Sequence, residues 1–386
     1  MENNKIVYQS FVKLAVAIAV SQGTTEASAK KIITKNFEQH PFHKQLSKLI
    51  KKVSLKKENL NILANECISI CEDFGPDRDY VTLVLLLETI YKNEEFKEIE
   101  KDTILNIIQR FKSEIERINA KIPAPPLYNV ILETRAIAEW SSMFWLYPFI
   151  PKHKTNTTKP VLLMPPYLGN DNSTRFVRKY LKSVGFKTYK WDLGVNMINS
   201  KSIPKLVEKL DEIFEKHQEK VSLVGWSGGG IFAKIIANRH PEKVEQLITI
   251  GSPVWGLKNM KAPVIKSLEF LRGQKLRERN EKFIKELEEI PNVPITCVYT
   301  KTDGLIPWKN CMEAETYRKD IKNIEVFGSH CGMGENATIL LTVANALSAN
   351  LETKKDETII EKVEQLFYPK FWQQKGLSKF TNLFFS

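Results

Sequence analysis

The chain has 386 residues, a formal net charge of +12, 42% apolar residues and 10% aromatic ones. That length exceeds a usual single domain, and the apolar share can fill a sizeable core. The composition therefore excludes a disordered or fibrous chain and favours one large domain with an accessory segment. Five cysteines at irregular spacing (Cys67, Cys71, Cys297, Cys311, Cys331) form no zinc-type pair of pairs and favour reduced thiols in a cytosol-like compartment.

The first 60 residues hold eleven Lys against four Glu, so +7 of the charge lies there. The asymmetry suits either an anionic partner, such as a membrane surface, or plain solubility, and solubility is the simpler reading. No arginine-and-aromatic pattern for nucleic acid accompanies it. Leu14 to Val20 is a short apolar run, and Ala27-Ser28-Ala29 resembles a signal-peptidase site. Glu2 is wrong for a leader and the run is barely long enough, so the stretch reads as a helix. No run reaches bilayer-spanning length.

Residues 1–120 read as successive helices with no recognisable chemistry. Ile104, Ile107, Ile108, Phe111, Ile115 and Ile118 share one helical face, and Asp79 to Lys92 predicts a second, largely buried helix. Asp73 to Asp77 marks a break. His40 and His43 flank Pro41; without acidic or thiol partners nearby they suit a surface turn better than a metal site.

The proline-rich stretch 121–126 is the expected linker. Leu127 to Trp145 predicts one long helix, stopped by Pro148 and Pro151. Its aromatic residues Trp140, Phe144, Trp145 and Tyr147 are expected to pack on the following domain, with lipid contact as the alternative. From Lys159 short apolar runs alternate with amphipathic stretches. Strands are predicted at Val161–Met164, Lys187–Trp191, Val221–Val224, Gln246–Ile250, Ile295–Thr300 and Ile324–Phe327, and helices at Asn172–Ser183 and Ile203–His217. Such alternation argues for an α/β fold, a mostly parallel sheet covered by helices on both faces over residues 127–350.

Within it, Val221 to Val224 runs into Gly225-Trp226-Ser227-Gly228-Gly229, and a helical stretch follows. Strand, Gly-x-Ser-x-Gly and helix together form the context of a nucleophile elbow. The amide of Gly228 then points from a helix N-terminus toward a substrate oxygen.

A serine hydroxyl needs a base, and the base needs a carboxylate. Of six histidines, His40 and His43 lie in the helical region, His153 in a connector, His217 before the elbow strand and His240 at the far end of the elbow helix. His330, in a glycine-rich loop after the last strand, is left. Asp303, in the loop after Ile295–Thr300, is the favoured carboxylate, and Asp192 is its rival.

The order Ser227, Asp303, His330, with the elbow, Asp303-Gly304-x-x-Pro307, Gly328-Ser329-His330 and Gly251-Ser252-Pro253, resembles the α/β-hydrolase superfamily, and bacterial lipase- and esterase-like enzymes in particular. The resemblance covers residues 130–350. It implies an α/β-hydrolase fold preceded by a helical region, and cleavage of carboxylic esters through an acyl-enzyme with no metal or cofactor. It places Leu162 to Tyr167 at the oxyanion turn. Pro166 stands where the family has glycine and lacks an N–H, so the amide of Tyr167, or of Leu168, must join that of Gly228. The insertion 257–291 matches a cap. Leu168, Trp226, Trp255, Trp308 and Met333 are candidate pocket walls. The tail 351–386 alternates aromatics with Lys and suits either a membrane interface or the protein's own surface. With the basic N-terminal region and the cap it favours a lipid or medium-chain acyl ester. An acyltransferase, or a binding module on a hydrolase fold, would use the same sequence features.

Overall fold

The computed structural model describes residues 2–36, 43–53, 60–74, 104–111, 122–152, 157–255, 289–313 and 320–349, except 22, 24, 110 and 158, together with Phe283, Glu286 and Leu287. These fall into two compact units, one within 1–121 and one beginning at Ile122. The predicted helix at Asp79–Lys92, the end of the one at Ile104–Ile118, most of the proposed cap and the whole C-terminal tail lie outside the described residues.

The first unit is helical. Helix α1 (Glu2–Ser21) contacts α2 (Glu26–Asn36), α3 (His43–Lys52) and α4 (Leu60–Phe74). Its apolar run is buried nearly all round at Phe11, Val12 and Leu14 to Ala19. A helix that is apolar on every side belongs at the centre of a bundle. Ile33, Ile50, Leu63, Ile104, Ile107 and Phe111 are likewise buried in this unit.

The second unit is built on six parallel strands in the order β2-β1-β3-β4-β5-β6. They are β1 (Pro160–Met164), β2 (Lys187–Tyr189), β3 (Val221–Trp226), β4 (Val244–Ile250), β5 (Ile295–Tyr299) and β6 (Ile321–Glu325). Strands β1, β3 and β5 are buried throughout, which is why they read as unbroken apolar runs rather than alternating ones. Helices α7 (Arg175–Val184) and α10 (Ala337–Ser348) pack together on the sheet, and α8 (Ser202–His217) pairs with α9 (Gly228–Arg239), giving a doubly wound sandwich. The order reverses between β1 and β3, the switch point beyond whose carboxyl ends such sheets bind ligands.

Two predicted elements differ. The last strand starts three residues and ends two residues earlier than expected, because Ile321 pairs with Ile295 and Glu325 with Tyr299. On this sheet edge only alternate residues are deeply buried, so its polar positions hid its start from a search for apolar runs. The predicted helix at Leu127–Trp145 is two helices, α5 (Leu127–Leu132) and α6 (Ala136–Leu146), joined by a 3-10 turn at Glu133–Arg135 and followed by another at Tyr147–Phe149. Its aromatics do not all pack inward: Trp145 is 80% and Phe149 81% exposed, while Phe144 meets Phe176 edge-on.

One buried ion pair ties the elbow helix to the chain before β6. Lys234 Nζ lies 2.5 Å from Glu313 Oε2 and donates to Val254 O at 2.8 Å, and both side chains are 1% exposed. Removing one partner strands the other charge in the core. Lys234→Met alone should therefore lose about 3–5 kcal/mol in denaturant unfolding, and adding Glu313→Leu should recover most of it.

Candidate active site

Strand β3 ends at Trp226 and helix α9 begins at Gly228, so a single residue, Ser227, makes the turn. Its backbone sits at φ 50°, ψ −118°, a conformation that L-residues avoid. Hydrogen bonds from Ser227 N to Ile250 O (2.8 Å) and from Gly230 N to Ser227 O (3.0 Å) hold it there. The flanking glycines are required by contact. A Cβ on Gly225 would lie 2.4 Å from Gly230 Cα, and one on Gly229 2.3 Å from Met164 O.

The structure brings together the three side chains expected at this site. His330 Nε2 lies 3.0 Å from Ser227 Oγ, and His330 Nδ1 lies 2.6 Å from Asp303 Oδ2. An ionised carboxylate only accepts, so Nδ1 carries the proton and Nε2 faces the serine as an acceptor. All three residues are buried. Asp303 Oδ1 accepts from the amides of Leu305 (2.8 Å) and Ile306 (2.7 Å), which fixes the carboxylate from behind. Burial alone would lower the basicity of the imidazole. The Asp303 charge and hydrogen bond, with the Glu133 charge, oppose it and hold the His330 pKa above its ordinary value. The rival Asp192 is elsewhere, paired with Lys209 and accepted by the Asp171 carboxylate through its amide (3.2 Å).

The turn after β1, where an oxyanion donor was expected, is held by a residue that the sequence did not single out. Asn196 is fully buried. Its Nδ2 donates to Pro165 O (2.7 Å), its backbone O accepts from Leu168 N (2.8 Å), and its N donates to Gly169 O (2.8 Å). The Leu168 amide, one of the two expected to face a substrate oxygen, is thereby committed to Asn196. Tyr167 N stands 3.2 Å from where a Cβ on Gly228 would be, so these two residues adjoin at the elbow. Ile198 lies against the same corner, 2.9 Å from that point. Asn196 lies in a loop with no strand or helix pattern, so only its contacts reveal it.

The candidate wall residues separate. Leu168 is exposed at φ 61°, in the turn after β1. Met333 is buried close to His330, both reaching the space above Gly251. Trp226 belongs to the core and touches Gly334. Trp255 is buried and its carbonyl accepts from Asn310 Nδ2 (2.7 Å). Trp308 stacks on Tyr299, with ring centroids 5.6 Å apart. Among the described residues no group of three or more His, Cys, Asp or Glu is placed to hold a metal ion.

A strained serine between a central parallel strand and a helix, backed by an acid after β5 and a histidine after β6, identifies the architecture. The fold is that of an α/β-hydrolase. No family model matches the chain. Over 96 residues it is 31% identical to the biotin biosynthesis bifunctional protein BioHC of Teredinibacter turnerae, a match covering 25% of this chain and 10% of that protein. It is similar to a monoacylglycerol lipase of Paleococcus ferrophilus (15% identity, TM-score 0.36, 49% of this chain and 96% of the other). It is also similar to EstE1, a carboxylesterase from a metagenomic library (14% identity, TM-score 0.40, 52% of this chain and 83% of the other). The fold assignment rests on strand order and elbow, not on these likenesses.

Beside the site, burial pushes the Glu335 carboxyl up to about 7, against the pull of Arg175 and with the repulsion of Glu139. Between its ordinary value of 4.5 and about 7 the folded chain holds a proton that the unfolded chain releases, so this group's contribution falls as pH rises through that window. Glu335→Gln should melt higher than the parent at pH 8, and the difference should close by pH 4 in a series of thermal melts.

Proposed function

We propose that the chain is a serine hydrolase of carboxylic esters. The observation that carries this reading is the unbroken chain from Ser227 Oγ through His330 to Asp303, with spacings of 3.0 and 2.6 Å, on a strained elbow. Ser227 Oγ attacks the acyl carbonyl as its proton passes to His330 Nε2. The amides of Gly228 and Tyr167 are the donors for the oxyanion. Collapse of the tetrahedral adduct expels the alcohol, which takes the proton from Nε2 and leaves an acyl-serine. Water then attacks that ester while giving a proton to Nε2. Its collapse releases the acid and restores the Ser227 hydroxyl with that proton. Asp303 keeps the imidazole in one tautomer and stabilises its cation through both steps.

An apolar acyl group suits the surroundings. Leu168, Val195 and Met197 are exposed on the two loops that Asn196 links, and Ile198 borders Gly228. A lipid or medium-chain ester is the substrate class we assign, acting as a small-molecule or lipid acyl donor with no cofactor. No helix among the described residues is long and apolar enough to cross a membrane. Contact with an anionic membrane surface through the basic segments is part of the proposal, not of the fold.

Ser227→Ala should abolish fluorophosphonate labelling and lower the hydrolysis of p-nitrophenyl esters by ~10⁴-fold or more while leaving the circular dichroism unchanged. Folded wild-type protein that neither labels nor turns over any chain length would overturn the reading. The pH dependence has a definite sign. The base works as neutral imidazole, and its pKa lies above the ordinary 6.5. The acid limb of the kcat/KM profile should therefore inflect above pH 6.5, with activity rising toward alkaline pH.

A further inference from the structure

The segment before the sheet buries Met143 and Ile150 in the core but turns most of its other large apolar side chains outward. Leu127, Ile131, Ile137, Trp145 and Phe149 face solvent, while its polar side chains turn to the two loops that carry Asp303 and His330. Glu133 Oε1 accepts from the amides of Gly304 (2.8 Å) and His330 (3.0 Å), and Oε2 accepts from Cys331 (2.9 Å). One carboxylate thus binds the residue after the acid, the base itself and the residue after the base. Glu139 takes Ser329 N (2.9 Å) and Oγ (2.8 Å). Arg135 donates to Thr302 O (3.2 Å) and to the carbonyl of Gly328. Asn129 Nδ2 donates to Lys301 O (3.2 Å).

One glycine in each loop, Gly304 and Gly332, is small because this segment packs against it. A Cβ on Gly304 would lie 2.4 Å from Asn129 O, and one on Gly332 1.7 Å from Glu139 Oε2. Neither loop can draw closer to the segment, and neither can leave without stranding buried amides.

We propose that Glu133 is a positioning residue that locks the acid loop to the base loop and so sets the Asp303–His330–Ser227 alignment. The inference rests on the serine-hydrolase reading of that site. Glu133 acts in two ways. Its three amide bonds fix where the imidazole hangs, and its negative charge, second to Asp303, favours the imidazolium that forms as the serine is attacked. The charged and titratable groups around the imidazole are Asp303 from the β5 loop, Glu133, Arg135 and Glu139 from the preceding segment, and Cys331 beside it on its own loop.

Glu133→Gln separates these effects from packing. The amide fills the same space and can still accept from Gly304 and His330. It removes the charge and turns an NH₂ toward the Cys331 N–H. We expect kcat/KM on a p-nitrophenyl ester to fall by roughly ten- to a hundredfold, the scale of a small misplacement of reacting groups. The acid limb of the pH profile should also move to lower pH, the direction that loss of a negative charge beside the imidazole dictates. The downfield Nδ1–H resonance of His330, followed by NMR in a Ser227→Ala background with and without Glu133→Gln, reports the same shift without any turnover. A purely structural Glu133 would lower the melting temperature and leave both titrations in place. Unshifted titrations in a folded variant overturn the proposal. If Glu133→Gln does not fold, Gly304→Ala should press the segment away through Asn129 O and give the same loss and shift; an unshifted titration there overturns it equally. Wild-type protein without labelling or turnover would sink the hydrolase reading alone, because the NMR titration still tests the lock.

Discussion

Ser227 occupies a backbone conformation that costs of order 1–3 kcal/mol and persists only where its surroundings over-determine it. Much of the second unit can be read as that over-determination. Strand β3 is central, so the turn is braced on one side by Met164 at the end of β1 and on the other by Ile250 at the end of β4. The helix that leaves the turn is buried along most of its length, and its one lysine is neutralised inside the protein by Glu313. The side chain held this way is fixed by the backbone that carries it, and the amide next to it, that of Gly228, opens helix α9.

Strain at the elbow fixes Ser227 only. Asp303 and His330 come from separate loops, seventy-six and one hundred and three residues further along, and nothing in a sheet aligns two loop tips to a few tenths of an ångström. Here both loops are bonded to a segment outside the sheet. Its carboxylates bond main-chain amides, which cannot rotate away as side chains can, and its arginine bonds carbonyls of the same loops. The sheet places the loops, and the preceding segment bonds to both of them.

What was legible in the sequence follows from which contacts are local. The elbow could be read because its requirement for small neighbours falls at Gly225 and Gly229, two residues either side of Ser227. Asp303 and His330 could be read because each lies within a few residues of the carboxyl end of a strand, where topology limits its position. Strand β6 was misplaced because Lys322 and Asn323 interrupt the apolar run on an edge buried at alternate positions. Asn196, Glu133 and Glu139 carried no signal. Each acts on main-chain groups far away in the chain, and main-chain groups are the same at every residue. The glycines of the histidine loop were legible as glycines but not in their cause: Gly332 is small to admit the Glu139 carboxylate.

Bonds to main-chain groups also decide where the aromatic stripe lies. A sequence rich in Trp and Phe before a sheet is expected to pack its aromatic face inward, since burial of such a side chain is favourable by about 1.5–3 kcal/mol. In this chain the inward positions at Asn129, Glu133, Arg135 and Glu139 are taken by groups that satisfy buried amides and carbonyls. Leaving such groups unpaired is penalised by about 1–3 kcal/mol each. Several such bonds along one short segment outweigh the burial of a few aromatic rings, so the polar face goes in and Trp145 and Phe149 stay out. Periodicity identifies the two faces of an amphipathic segment. Which face turns inward is decided by what the partner surface presents, and here that surface is the exposed backbone of two loops.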